Sequence, residues 1–189
     1  MNTIGEDGRL ITTGEYTLSK EPVTVQKGDI VTYTFRIYNE GTIDGYAQEI
    51  TEDIPEGLEF IWSEKTGQEL EEDETLTEAE KEAIKFNQDY LWGNFVYDEN
   101  NEKIIQISTD YLSKENETTV GGNLIPAFGE NDGTKTEEDI HYKEVSVMLK
   151  VVSDNTSGTV IRNEAAITED CDENGDPVDD RDSDTEDWK

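Results

Sequence analysis

Two sets of residues in this 189-residue chain carry polar groups at spacings that could do chemistry. The first is Asp170-x-Asp172-x-Asn174-Gly175, followed by Asp176 and Asp180. Oxygen-bearing side chains at alternate positions converge on one cation, and the glycine permits a sharp turn, as in the first half of a calcium loop. The second half departs from that pattern. Arg181 stands where an EF-hand loop needs a bidentate glutamate, and Pro177 and the strand-like run before it argue against flanking helices. Two readings are open. Asp170, Asp172, Asn174, Asp176 and Asp180 (or Asp182) form a looser calcium site, with the roughly 0.1–1 mM affinity of extracellular modules. Alternatively, the segment is a solvated acidic linker.

The second set is Glu52 and Asn163. Glu52 shares a two-residue period with Ile50 and Ile54, and Asn163 shares one with Ile161, Ala165 and Ile167. On strands, both should point into a core. A buried carboxylate without a partner is costly, so each position asks for an explanation. Local satisfaction is one: Asn163 bonded to backbone and Glu52 wet at a sheet edge. Enzymatic chemistry finds less support. The one histidine, His141, stands beside Tyr142 at a strand start with no partner motif, and no nucleophile elbow, phosphate loop or histidine pair is present. No acidic pair stands out as glycosidase-like from so acidic a background. Trp62, Trp92 and Trp188 could stack on sugar, but core packing or an exposed hinge explains them more simply.

The elements that would position these residues are mostly strands. Val31, Tyr33, Phe35 and Ile37 alternate with Thr32, Thr34, Arg36 and Tyr38 between turn signals at 27–29 and 39–41. Further strands are expected at 46–54, which Pro55-Glu56-Gly57 ends, from Leu58 through Phe60, at 94–97 and 103–108 around an Asp98-Glu99-Asn100-Asn101 turn, at 145–151, and at 159–168. Thr77-Glu78-Ala79-Glu80 has the spacing of a capping box, so a helix is expected over 77–91, with a patchy apolar face from Ala83, Ile84, Tyr90 and Leu91. Residues 113–138 read as a loop pinned by Leu124, Ile125, Ala127 and Phe128. The expected fold is all-β, an immunoglobulin-like antiparallel β-sandwich with one inserted helix. Its expected organisation is a leader or linker over 1–14, a sandwich over 15–169 with an insertion at 64–92, and an acidic tail or linker over 170–189.

Bulk composition bounds the function. Hydrophobic residues make up 32% of the chain, enough for one core. The formal net charge of −32 repels nucleic acid and anionic lipid, and suits cations, basic partners or plain solubility. One cysteine, Cys171, cannot form an internal disulfide. No apolar run is long enough to span a membrane, and no charged-then-apolar leader follows Met1. An export signal and wall anchor are therefore expected elsewhere in a longer parent.

Three stretches resemble a known family. Residues 23–34, Val-Thr-Val-Gln-Lys-Gly-Asp-Ile-Val-Thr-Tyr-Thr, look like the start of the DUF11-type surface repeat. Residues 49–58, Glu-Ile-Thr-Glu-Asp-Ile-Pro-Glu-Gly-Leu, look like its Leu-Pro-x-Gly-Leu corner, and Ile161-Arg162-Asn163-Glu164-Ala165-Ala166-Ile167 like its closing strand. Residues 38–47 and the acidic 172–180 are similar to clostridial surface repeats of the isopeptide-forming D2 kind. Residues 64–92 fit least and look inserted. The resemblance implies an immunoglobulin-like module repeated along a Gram-positive cell-wall protein, extracellular and joined to neighbouring modules. It also implies a possible cross-link between a lysine amine and an asparagine carboxamide, assisted by a buried acid. Burial keeps the amine neutral and the acid protonated. Asn163 and Glu52 match two of those roles; Lys20 is the early-strand candidate for the third, and a fit from the family's lysine strand is not found around it. The expected function is a non-enzymatic spacer. The alternative is an adhesive module binding a host or matrix ligand through the 64–92 insertion or the 113–138 loop.

Overall fold

A computed structural model describes residues 3–4, 10–11, 24–129, 133–136, 139–153, 160–161 and 163–178. Two short strands, β1 (Thr3–Ile4) and β2 (Leu10–Ile11), pair antiparallel. The main body is an all-β, immunoglobulin-like antiparallel sandwich with a small helical insertion. Its strands are β3 (Ile30–Tyr38), β4 (Gly45–Asp53) and β5 (Leu58–Phe60). Two helices follow, α1 (Gly67–Glu71) and α2 (Glu78–Asp89). Strands β6 (Gly93–Tyr97) and β7 (Ile104–Thr109), the single turn α3 (Glu117–Val120), and strands β8 (Tyr142–Val151) and β9 (Glu164–Asp172) complete it. One sheet has the order β3-β8-β5 and the other β6-β7-β4-β9.

The alternation expected in the first strand is realised. Val31, Tyr33, Phe35 and Ile37 point into the core, while Thr32, Thr34, Arg36 and Tyr38 face out. Thr34 bonds Ser146 across the outer face, and Arg36 pairs with Glu144 and lies over the Tyr142 ring. The inner faces of the two sheets meet around Ile50, Leu58, Ile107, Val145, Val147 and Leu149, all but removed from water. The Pro55-Glu56-Gly57 corner needs its glycine. Gly57 has φ +99°, and a Cβ there would lie 3.1 Å from Ser153 and 3.2 Å from Ile161.

The insertion is built into the sandwich. Strand β5 stops at Phe60, leaving β8 without a strand partner on that side from there toward its start, while β3 pairs its other side. Side chains take over. Asn87 accepts from the Met148 N–H at 2.8 Å and donates to the Met148 carbonyl at 3.0 Å. The Trp92 indole donates to the Ser146 carbonyl at 2.7 Å. Ser146 and Met148 point their backbone groups to the same side of the strand, so one amide and one indole stand in for the missing strand. Helix α2 is positioned for this by its capping box, present in both directions between Thr77 and Glu80. Ala83 and Ile84 of α2 and Leu70 of α1 are buried, and Gln88 donates to the carbonyls of Ser63 and Lys65. Lys81 donates to the Glu71 carbonyl and to Glu78, Lys85 pairs with Glu71, and Lys150 of β8 pairs with Glu80.

Three details differ from the sequence expectation. There are two further short helices, α1 and α3, beside the expected one. Ala83 and Ile84 are buried as expected, but Tyr90 is half-buried and Leu91 is exposed. The last strand runs from Glu164 to Asp172 rather than over 159–168, because Asp170–Asp172 pair with the start of β4. The acidic segment thus begins as sheet. Cys171 is buried there opposite Tyr46, with its carbonyl so close to Gly45 that a Cβ would approach to 2.8 Å.

Candidate functional site

Glu52 sits in the middle of β4's pairing, with Ile107 of β7 on one side and Ala165 of β9 on the other. Its inward phase with Ile50 and Ile54 is realised, and the residue is 0% exposed. Asn163 lies two residues before Ala165 on the same face, a diagonal neighbour of Glu52. Both carboxyl oxygens of Glu52 and both amide atoms of Asn163 are buried, and none has a hydrogen-bond partner of ordinary geometry. Four such atoms in one place are unusual, since buried polar groups are nearly always bonded.

Burial pushes the Glu52 carboxyl up to about 8, the nearby Asn163 amide moderates the rise, and the Asp53 charge adds to it. The carboxyl is therefore mostly protonated at neutral pH. Tyr33, projecting inward from β3, has its phenol raised by burial and by the Glu52 charge. Tyr33 is the residue near this pair that sequence reasoning did not single out, although its alternation with Val31 and Phe35 already turned it inward. A protonated carboxyl beside a carboxamide can give a proton from one oxygen and take one at the other. That is the equipment for acyl transfer from the carboxamide to an amine. Lys20, the amine suggested by resemblance, lies outside the described residues.

Ala165, directly opposite Glu52, is exposed, and so is Val160 just upstream of Asn163. Ala165 was expected to turn inward with Asn163 and Ile167. It shares that phase but not the burial; among the described residues no other named strand pairs with β9 besides β4.

The other expected site takes a different form. The Asp172 carboxylate accepts from the backbone N–H groups of Asn174 at 2.8 Å and Asp176 at 2.9 Å, and from the Asn174 amide at 3.3 Å. These bonds hold Asp172 below the usual aspartate range. Gly175, at φ +91°, closes the turn, and Cys171 bridges Pro177. Asp170 stands one residue before Cys171 in β9, and Asp176 is exposed beyond the turn; Asp180 lies outside the described residues. The first half of the expected calcium loop is an Asx turn in which the Asp172 carboxylate accepts from its own backbone. Among the described residues, no three His, Cys, Asp or Glu side chains stand together to hold a metal ion. His141 is exposed, Trp92 is core, and Trp62 stacks edge-on against Phe95 at 4.8 Å; Trp188 lies outside the described residues.

Among the described residues of the two segments considered for adhesion, several polar side chains bond the fold itself. In the 113–138 loop, Asn123 donates to the carbonyls of Tyr111 and Ser113, and Glu117 accepts from Gly122 and Asn123. Ile125 and Phe128 are buried, as the apolar plug required. Among the described residues no helix is long and apolar enough to cross a membrane. No protein-family model matches the chain, and neither a curated protein nor a solved structure matches it.

Proposed function

We propose that the chain is a non-enzymatic spacer, a stalk module of a bacterial cell-surface protein, extracellular and set among neighbouring modules of one parent. The observation that carries this reading is the buried, partnerless pair of Glu52 and Asn163 inside an immunoglobulin-like sandwich. A pair of that kind has no use in an ordinary core, where it is a cost. It has a use in a module that locks itself with a lysine–asparagine cross-link, as the D2-like repeats it resembles do. Lys20 is the proposed amine donor. The fixed state of the insertion and of the 113–129 stretch supports a stiff module over an adhesive one. Their aromatic and amide side chains hold the fold together and are not free to grip a ligand.

Intact-mass measurement of the full chain tests the reading. The expected result is a mass lower by one ammonia, restored to the full value in Lys20→Ala, Glu52→Gln and Asn163→Ala. A full mass in the unsubstituted chain after prolonged incubation at neutral pH removes the cross-link from the proposal and leaves Glu52 unexplained.

A further inference from the structure

The seam between β4 and β9 falls into two halves. Near its middle the register slips on either side of Glu49, which faces Glu169. Beyond the slip, Gly45–Ala47 pair with Asp170–Asp172, and Cys171 is buried there and bridged to Pro177. Before it, Ile50–Asp53 pair with Glu164–Ile167. That first half of β9 is held less firmly. Glu164 and Ala165 are exposed, Ala166 and Ile167 are half-buried, and Ile161 and Ile167 are the partly buried residues of this stretch that pack on the core. A bulge lets a strand bend at one point. Thr168 marks that point, bonding both Thr51 and the Glu49 carboxylate.

Carboxyl groups gather along the first half. Asp53 stands directly opposite Glu164, and Glu49 opposite Glu169. Glu52 lies between these pairs with both oxygens sealed from water and unbonded. Like charges directly opposite one another weaken a strand pair. Asp53 accepts from Gln106 of β7, but among the described residues no lysine or arginine pairs with any of these acids. The other groups around Glu52 carry no charge: the Tyr33 phenol from β3, Ile107 from β7, and Ala165 and the Asn163 carboxamide from the β9 side.

We propose that the first half of β9 is a pH-gated latch, which lies on β4 while Glu52 holds its proton and swings away, hinged at the Glu49 slip, when Glu52 ionises. The reason is solvation. A carboxylate in this position has neither water nor a donor, and only water or a donor can make its charge tolerable. Departure of the strand lets water reach Glu52 and Asn163 together and separates Asp53 from Glu164. Burial holds the Glu52 carboxyl up at about 8, against 4.5 for the free side chain. Opening therefore releases a proton between those values. The latch loosens as pH rises from about 5 to about 8, by at most about tenfold per pH unit, and loosens no further above that. This inference concerns the chain before any bond forms at Asn163. The cross-link is read by mass and the latch by exchange, so each can fail alone.

Amide hydrogen exchange, followed by NMR on the full chain carrying Lys20→Ala, tests the latch. After correction for the intrinsic rise of exchange with pH, protection of the bonded amides in Glu164–Ile167 should fall several-fold per pH unit up to about pH 8, while that of Asp170–Asp172 holds. Adding Glu52→Gln should keep Glu164–Ile167 protected throughout. A second measurement needs no change at Glu52: its side-chain carboxyl carbon, titrated by NMR, should reach its midpoint at the pH where protection stops falling. Equal loss from both halves would mean global unfolding and overturn the proposal. So would protection that ignores pH, a fall that persists in the glutamine variant, or a Glu52 midpoint in the ordinary carboxylate range.

Discussion

Replacing Glu52 by glutamine should stabilise the protein, and by an amount that grows with pH. The side chains are nearly isosteric, so packing against Ile50, Ile54 and Ile107 is kept; what changes is the ability to ionise. The folded-state value of about 8 stands against 4.5 for the free side chain. Between those values the folded chain holds a proton that the unfolded chain has released, so stability falls as pH rises across that window and levels off above it. The full difference corresponds to about 5 kcal/mol at 1.4 kcal/mol per tenfold. Relaxation around the charge and water entry make about 2–4 kcal/mol a more realistic yield. The groups facing Glu52 do not disturb the window. Tyr33, on the opposite sheet, is raised above its usual phenol value and stays neutral throughout; Asp53, the adjacent acid, only deepens the effect. Urea unfolding of the Lys20→Ala and Lys20→Ala/Glu52→Gln chains, compared from about pH 4 to about pH 9, isolates the term, because the many other carboxylates are common to both. The two curves should meet near pH 4 and separate progressively to pH 8. A difference that is constant with pH would refute the buried, unpartnered state of this carboxyl.

Other substitutions test the insertion and the acidic turn. Asn87→Ala leaves the Met148 N–H and carbonyl bare at the end of β5, and should cost about 2–4 kcal/mol in urea unfolding and raise exchange of the Met148 amide. Trp92→Phe keeps most of the apolar area but loses the bond to Ser146, for about 1–2 kcal/mol; a loss of 4 or more would mean that packing, not the hydrogen bond, sets its role. Asp172→Ala removes the acceptor for two backbone N–H groups and should cost about 1–2 kcal/mol equally with millimolar calcium or with EDTA, read by thermal melts. A cost that appears only with calcium would support the calcium reading.

The parts of this fold that could be read from the chain are those where one local rule suffices. Two-residue alternation placed Val31 through Ile37 and Val145 through Val151, and the three-residue spacing of Thr77 and Glu80 placed the N-cap of α2. The same alternation turned Glu52 inward, which is the most informative residue of the site. Legibility ended where a residue's role depends on something distant. Asn87 looks like a surface amide on a charged helix, and its function appears only once β5 is known to stop at Phe60. The last strand is shifted because Glu164-Ala165-Ala166-Ile167-Thr168-Glu169-Asp170 has little alternation, and the β4 register slips between Ala47 and Ile50. Asp172 has the side chain of a metal ligand, and only the hydrogen bonds show which positive groups it has already taken.

The side-chain closure of β8 also bears on how copies of the chain behave when crowded. A bare stretch of strand is a template that any other extended segment can copy. A main-chain partner at that place would itself have another open side. An amide and an indole have none: they take up the Met148 N–H and carbonyl and the Ser146 carbonyl and offer no strand edge in return. Helix α2 therefore terminates the sheet instead of extending it, and shortening the insertion should yield a protein that still folds but sticks to itself.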